Sequence, residues 1–138
     1  TSRFLRKSFL QKVFGEQFLK IEEEEDTLSE KNYIFINLVK DFILKNIDQE
    51  NLTIDEVASE LCMSRTTFFN KWKSLTGEAP KYFIYRIRME KARELLESGR
   101  YSVNVVPEMI GLRNLKNFRH KYKEYFGITP SESIMKKQ

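Results

Sequence analysis

Residues 52–77 and 103–127 carry one pattern twice: a short amphipathic helix, a tight turn, and a second helix ended by glycine. Aligned at an offset of 50, Phe68 falls on Phe118, Trp72 on Tyr122, Leu75 on Tyr125, Gly77 on Gly127 and Pro80 on Pro130. Upstream of each turn the offset is 49, which puts Ile54, Val57 and Leu61 on Val103, Val106 and Ile110, so the second turn is one residue longer. Both copies place apolar residues at helical period and leave the outer face of the second helix polar or basic. A chain written this way has to bury two matched stripes while offering two matched faces to something else.

The intervening residues read as more helix. Thr27 with Glu30 three residues later has the form of a capping box, predicting a first helix from about Leu28 to Asn46 that buries Ile34, Phe35, Leu38, Val39, Phe42 and Ile43. Thr53 caps a helix ending near Leu61, and Ser64 caps the next, from Arg65 to Thr76, with Gly77 as its stop. Pro80 suits the first turn of a long helix to about Ser98, with Ile84, Ile87, Ala92, Leu95 and Leu96 inward. Pro107 lacks a backbone donor, so the fifth helix is expected to begin late, near Asn104, with the proline in its first turn. Ile128 to Ser131 restart a short terminal helix. No strand-like alternation occurs, and the expected class is all-α.

Ahead of this lie apolar residues spaced mostly three to five apart, from Phe4 to Ile21, then an acidic run from Glu22 to Asp26. We take residues 1–26 as an amphipathic helical and linker segment, and residues 27–138 as the domain that carries the repeat.

Charge sorts the same way. Residues 1–26 hold five of the 24 basic and six of the 20 acidic side chains, so the repeat-bearing part has five more positive charges than negative ones. That excess suits an anionic partner. The single cysteine, Cys62, has no partner for an internal disulfide and is expected to be a small buried apolar residue. No apolar run approaches the ~20 residues that span a bilayer, so no membrane contact is expected and the reading is cytoplasmic. His120 has no histidine or cysteine cluster to share a metal with, and no phosphate-cradling glycine loop or nucleophile motif is present. No catalytic residue, cofactor or metal is expected, and the chain is not read as an enzyme.

The string Arg88-Met89-Glu90-Lys91-Ala92-Arg93-Glu94-Leu95-Leu96, then Gly111, then Phe118-Arg119-His120-Lys121-Tyr122-Lys123-Glu124-Tyr125-Phe126-Gly127-Ile128-Thr129-Pro130, resembles the DNA-binding domain of the AraC/XylS family of bacterial transcription regulators. The likeness runs from about Leu52 to Ser131. It implies a homeodomain-like fold of two helix-turn-helix subdomains (about 53–77 and 103–127) joined by a central helix (about 80–98), following an N-terminal helical extension. It further implies that the two recognition helices enter successive major grooves of double-stranded promoter DNA, roughly 34 Å apart, with RNA polymerase as a further partner. Two positions depart from the family: Cys62 stands where glycine is common, and Pro107 where a small helix-interior residue is expected. Residues 1–26 are similar in layout to the segment that follows a receiver domain in hybrid two-component regulators. That implies a longer parent chain controlled by a phosphorelay.

On the first recognition helix the outward set is Arg65, Thr66, Thr67, Phe69, Asn70 and Lys73, and the resemblance puts Thr66, Phe69 and Asn70 at base-contacting positions. Asparagine pairs with adenine, phenylalanine and threonine pack on a thymine methyl, and Arg65 and Lys73 suit phosphates. On the second the set is Asn114, Leu115, Lys116, Arg119, His120 and Lys123, of which Leu115, Lys116, Arg119 and His120 match base-facing positions. Lys116 and Arg119 suit the paired acceptors of guanine. The alternative is that these are solvated helix faces and that the chain is an interaction module, forming a homodimer through the apolar stripe of residues 1–26.

Overall fold

The computed structural model describes residues 26–136, and every regular element among them is a helix. In chain order these are α1 (Asp26–Lys45), α2 (Ile54–Glu60), α3 (Arg65–Thr76), α4 (Pro80–Glu97), α5 (Val106–Met109), α6 (Leu115–Phe126) and α7 (Pro130–Lys136). The all-α class is therefore as the periodicity predicts. The described residues divide into two compact units: 26–45 with 53–84, and 46–52 with 85–136.

The first unit is organised by aromatic rings. Phe68 and Trp72 of α3, one turn apart, are fully buried against Phe35 of α1 and Phe83 of α4, with ring centroids 5.9 Å apart for Phe35–Phe68, Phe35–Trp72 and Phe68–Trp72, and 4.7 Å for Trp72–Phe83. Ile36, Val39 and Ile43 of α1 and Val57 and Ala58 of α2 complete this core. Burying each large apolar side chain contributes about 1.5–3 kcal/mol, so the stripe read from the sequence holds α3 in place.

The second unit repeats the arrangement with smaller parts. Phe118 and Tyr122 of α6 are buried, with ring centroids 5.6 Å apart, and so are Val106 of α5, Ile110 at its end, and Ile87, Met89, Ala92 and Leu96 of α4. The hydroxyl of Tyr122 lies 2.6 Å from Ser133 Oγ of α7, in a buried hydrogen bond that either group can donate. Burial raises the Tyr122 pKa above the ordinary tyrosine value, with the Ser133 bond acting in the opposite sense, so the phenol stays neutral at physiological pH. All five inward residues expected on α4, including Ile84 and Leu95, are buried.

Four expectations need correction. Ile34 and Leu38 are 57% and 50% exposed, because α1 carries neighbouring apolar stripes and the side that faces the core holds Phe35, Ile36, Val39 and Ile43; Phe42 is half-buried. One residue is roughly 100° of helical rotation, enough to turn a side chain away from the core. Thr27 lies inside α1, which already includes Asp26, and not at its cap. The capping box occurs instead at α7, where Thr129 Oγ1 accepts from the Glu132 amide at 3.2 Å and the Glu132 carboxylate accepts from the Thr129 amide at 3.4 Å. The fifth helix starts at Val106, later than Asn104, and runs only to Met109, with Pro107 in its first turn. Cys62 is exposed, not buried. The apolar stripe of residues 4–21 and the acidic run up to Glu25 lie outside the described residues.

The two turns share a backbone as well as a sequence pattern. Met63 N donates to Ala58 O and Leu112 N to Pro107 O, both at 2.9 Å, and the residue before each donor is left-handed: Cys62 at φ 58° and Gly111 at φ 77°. A side chain in that region costs about 1–2 kcal/mol that glycine avoids. Cys62→Gly is expected to stabilise the chain by about 1 kcal/mol in urea titration, less than the full strain because glycine also adds entropy to the unfolded chain. An unchanged or lowered midpoint would count against strain at this turn.

Candidate nucleic-acid interface

Helices α3 and α6 are each started by a side chain that the sequence supplies one residue ahead. Ser64 Oγ accepts from the Thr67 amide at 3.1 Å at the head of α3, and Asn114 Oδ1 accepts from the Asn117 amide at 2.9 Å at the head of α6. Both helices end on a left-handed glycine, Gly77 and Gly127, whose amides donate to Lys73 O and Lys123 O at 2.7 Å. With Phe68 and Trp72 facing in on α3, and Phe118 and Tyr122 on α6, the rotation of each helix about its axis is set.

What is left outside is close to the expected set. On α3, Arg65, Thr66, Thr67, Asn70 and Lys73 are exposed and Phe69 is half-buried. On α6, Lys116, Arg119, His120 and Lys123 are exposed and Leu115 is half-buried. Each group lies on a single helix, α3 in the first unit and α6 in the second.

Several members already have partners. Ser64 Oγ donates to Thr67 Oγ1 at 2.9 Å, tying that hydroxyl to the cap. Arg65 Nη1 lies 3.5 Å from Asp55 Oδ2, a pair exposed by 65% and 64% and therefore weak. His120 Nε2 lies 3.4 Å from Glu124 Oε2, also exposed. Asn114 uses its carbonyl oxygen for capping, so its presence at the head of α6 has a local explanation that does not involve a base.

Two cations of the second unit were not singled out by sequence. Arg88 of α4 is only 9% exposed; its Nη2 donates to Gln49 O at 2.6 Å, and burial lowers its pKa while Glu50 opposes that. Arg113, in the turn before α6, donates from Nη2 to Asp48 O at 3.4 Å and lies 3.9 Å from Glu50. The signal for Arg88 was present: it stands four residues from both Ile84 and Ala92, a charge on the inward stripe of α4. Among the described residues no group of three or more potential metal ligands occurs, and no helix is long and apolar enough to cross a membrane.

A family model described as a helix-turn-helix domain matches residues 57–134. A transcriptional regulator from Chromobacterium violaceum, described as an AraC-type DNA-binding domain-containing protein, superposes with a TM-score of 0.68 at 25% identity, covering 78% of this chain and 96% of that one. The chain belongs to the AraC family of helix-turn-helix domains. Such domains are the DNA-binding parts of transcription regulators, not enzymes. The DNA-binding domain of the global transcriptional factor AdpA, solved in complex with a target DNA, gives a TM-score of 0.61 at 28% identity over 74% of this chain and 90% of its own. A histidine kinase, P4, from Formosa agariphila is 33% identical over 87 residues, which is 63% of this chain and 6% of that protein. The chain spans less than half the length of the first curated relatives it matches.

The capping geometry separates two roles for Asn114. Asn114→Ser should leave thermal stability nearly unchanged, whereas Asn114→Ala should cost about 1 kcal/mol, the usual worth of an N-cap. Equal stability of the two variants would show that the cap contributes nothing.

Proposed function

We propose that this AraC-family domain reads double-stranded operator DNA sequence-specifically, with α3 and α6 each entering one of two successive major grooves. The observation that carries the reading is the recurrence, on both helices, of a fully buried aromatic pair beneath an exposed polar and basic face. A recognition helix needs that division, since bases are read by side chains that the protein's own core does not use. Thr66, Phe69 and Asn70 on α3 and Leu115, Lys116, Arg119 and His120 on α6 are the proposed base readers. Arg65, Thr67, Lys73, Asn114 and Lys123 are the proposed backbone-facing group. The complex of the AdpA domain with its target DNA supports the choice of ligand.

The finer reading is that this module is the output end of a two-component system, in which residues 1–26 join it to an upstream receiver domain and phosphorylation there governs promoter occupancy and contact with RNA polymerase. Similarity to the histidine kinase P4, and to the C-terminal domain of AraT, a response regulator from Geobacillus stearothermophilus, supports this. A regulator of this kind acts in the cytoplasm, where the DNA is.

A duplex selected by the wild-type chain from a random library provides the test. Asn70→Ala and Arg119→Ala should each weaken binding by about 1–3 kcal/mol and relax preference at a few adjacent base pairs, as loss of a bidentate base contact does. Lys73→Ala and Lys123→Ala should weaken all duplexes alike and reduce the slope of log affinity against log salt by about 1 each. Failure of selection to enrich any sequence, with binding that is uniform across duplexes, would rule out sequence-specific reading.

A further inference from the structure

The segment Asn46–Leu52 connects α1 to α2 in sequence, yet it clusters with the second compact unit. Its backbone explains why. Arg88 Nη2 donates to Gln49 O at 2.6 Å, and Arg113 Nη2 donates to Asp48 O at 3.4 Å while its Nε lies 3.9 Å from the Glu50 carboxylate. Between the two arginines sits Gly111, buried and left-handed. A Cβ there would stand 2.5 Å from Ile47 O, 3.2 Å from Gln49 O and 3.0 Å from Arg88 Nη2. Three successive carbonyls, those of Ile47, Asp48 and Gln49, are thus gathered against the turn that runs from Gly111 to Arg113 and delivers the chain to the Asn114 cap of α6.

This arrangement is costly enough to require a reason. Arg88 gives up most of its hydration to sit 9% exposed, with its Nε buried and unbonded, and what it gains in return is the Gln49 carbonyl. The glycine is fixed twice, once by its φ of 77° and once by a backbone oxygen that leaves no room for a methyl group. The turn before α3 has the same left-handed geometry but is built on Cys62, a residue that has a Cβ, so the glycine at 111 answers to the strap as well as to the turn.

Resting on the reading that α6 enters a major groove, we infer that Asn46–Leu52 is a positioning strap for the second recognition helix. Arg88 and Arg113 are its anchors and act through the Gly111–Arg113 turn to aim Lys116 and Arg119, touching no base themselves. A recognition helix begins to read at its N-terminal turn, so a shift at its first residue moves every reading side chain together.

The test uses the full chain, the selected duplex and hydroxyl-radical footprinting, with backbone amide NMR shifts recorded in the absence of DNA. Arg113→Ala removes an exposed anchor with little risk to folding, Arg88→Met removes the buried one, and Arg88→Lys keeps a donor for Gln49 O. Arg113→Ala and Arg88→Met should lower affinity about tenfold, the scale of one good base contact. Protection should fade in the groove read by α6 and persist in the groove read by α3. Amide shifts of Leu115, Lys116, Asn117 and Phe118 should move in both variants without DNA, and Arg88→Lys should recover most of both effects. Loss spread evenly over the two grooves, or α6 shifts that stay at wild-type values while affinity falls, would overturn the strap and leave Arg113 a plain phosphate contact. A wild-type chain that protects no duplex would instead overturn the underlying DNA reading; one that protects both grooves, with variants matching it, overturns the strap alone.

Discussion

The two buried aromatic pairs, Phe68 with Trp72 and Phe118 with Tyr122, are the constraint from which the remaining geometry follows. Residues four apart on a helix lie on one face, so anchoring both members of a pair leaves the helix no rotational freedom. The opposite face then has to be solvent-facing whatever residues it carries. This is why the exposed sets on α3 and α6 correspond so closely, although few of their residues are the same type. Truncating such an anchor would cost about 3–5 kcal/mol, which is of the order of half a small domain's stability.

The turns impose a second constraint, on the starts of α3 and α6 and not on their rotation. Both use a left-handed residue followed by an amide that bonds back to the preceding helix, at Met63 and Leu112. Where the first turn hands over after two residues to Ser64, the second takes three to reach Asn114. The longer turn includes Arg113, which makes contacts to the Asp48 carbonyl and the Glu50 carboxylate. Helix α5, only four residues long with Pro107 in its first turn, contributes few hydrogen bonds of its own, so its place in the fold rests on the burial of Val106 and of Ile110 at its end.

Much of this was legible in the residues, and the exceptions have definite causes. Caps at Thr53 and Ser64, stops at Gly77 and Gly127, and the inward stripe of α4 are short-range signals that sequence states directly. On α1 the same periodic rule admitted two stripes, Ile34 and Leu38 beside Phe35 and Val39, because a helix rich in apolar residues does not say which flank its neighbours take. Cys62 departs from expectation because cysteine is usually buried, whereas here it is the exposed left-handed residue of the turn before α3. Asn114 illustrates a degeneracy: one residue type serves for capping a helix and for pairing with adenine, and only the hydrogen bond to Asn117 reveals which use is made in the absence of DNA. Arg88 could be recognised as anomalous, but its acceptor could not. Gln49 O is 39 residues away, and a main-chain carbonyl leaves no mark on residue identity.

The outward faces differ in a way that bears on how two readers divide one operator. On α3 the cation nearest the helix start, Arg65, is already paired with Asp55, and the central positions Thr66, Phe69 and Asn70 are uncharged. On α6 the equivalent positions include Lys116 and Arg119, exposed and with no ion-pair partner among the described residues. Under the proposed reading the first helix recognises methyl groups and adenine edges, and the second recognises guanine acceptors with long-range attraction to phosphate. Charge-driven contacts weaken with salt, whereas contacts made by Thr66 and Phe69 depend on shape and burial and change little. Raising ionic strength should therefore weaken the base contacts of α6 before those of α3, and a partly released domain would remain on its site by the helix whose base readers are uncharged.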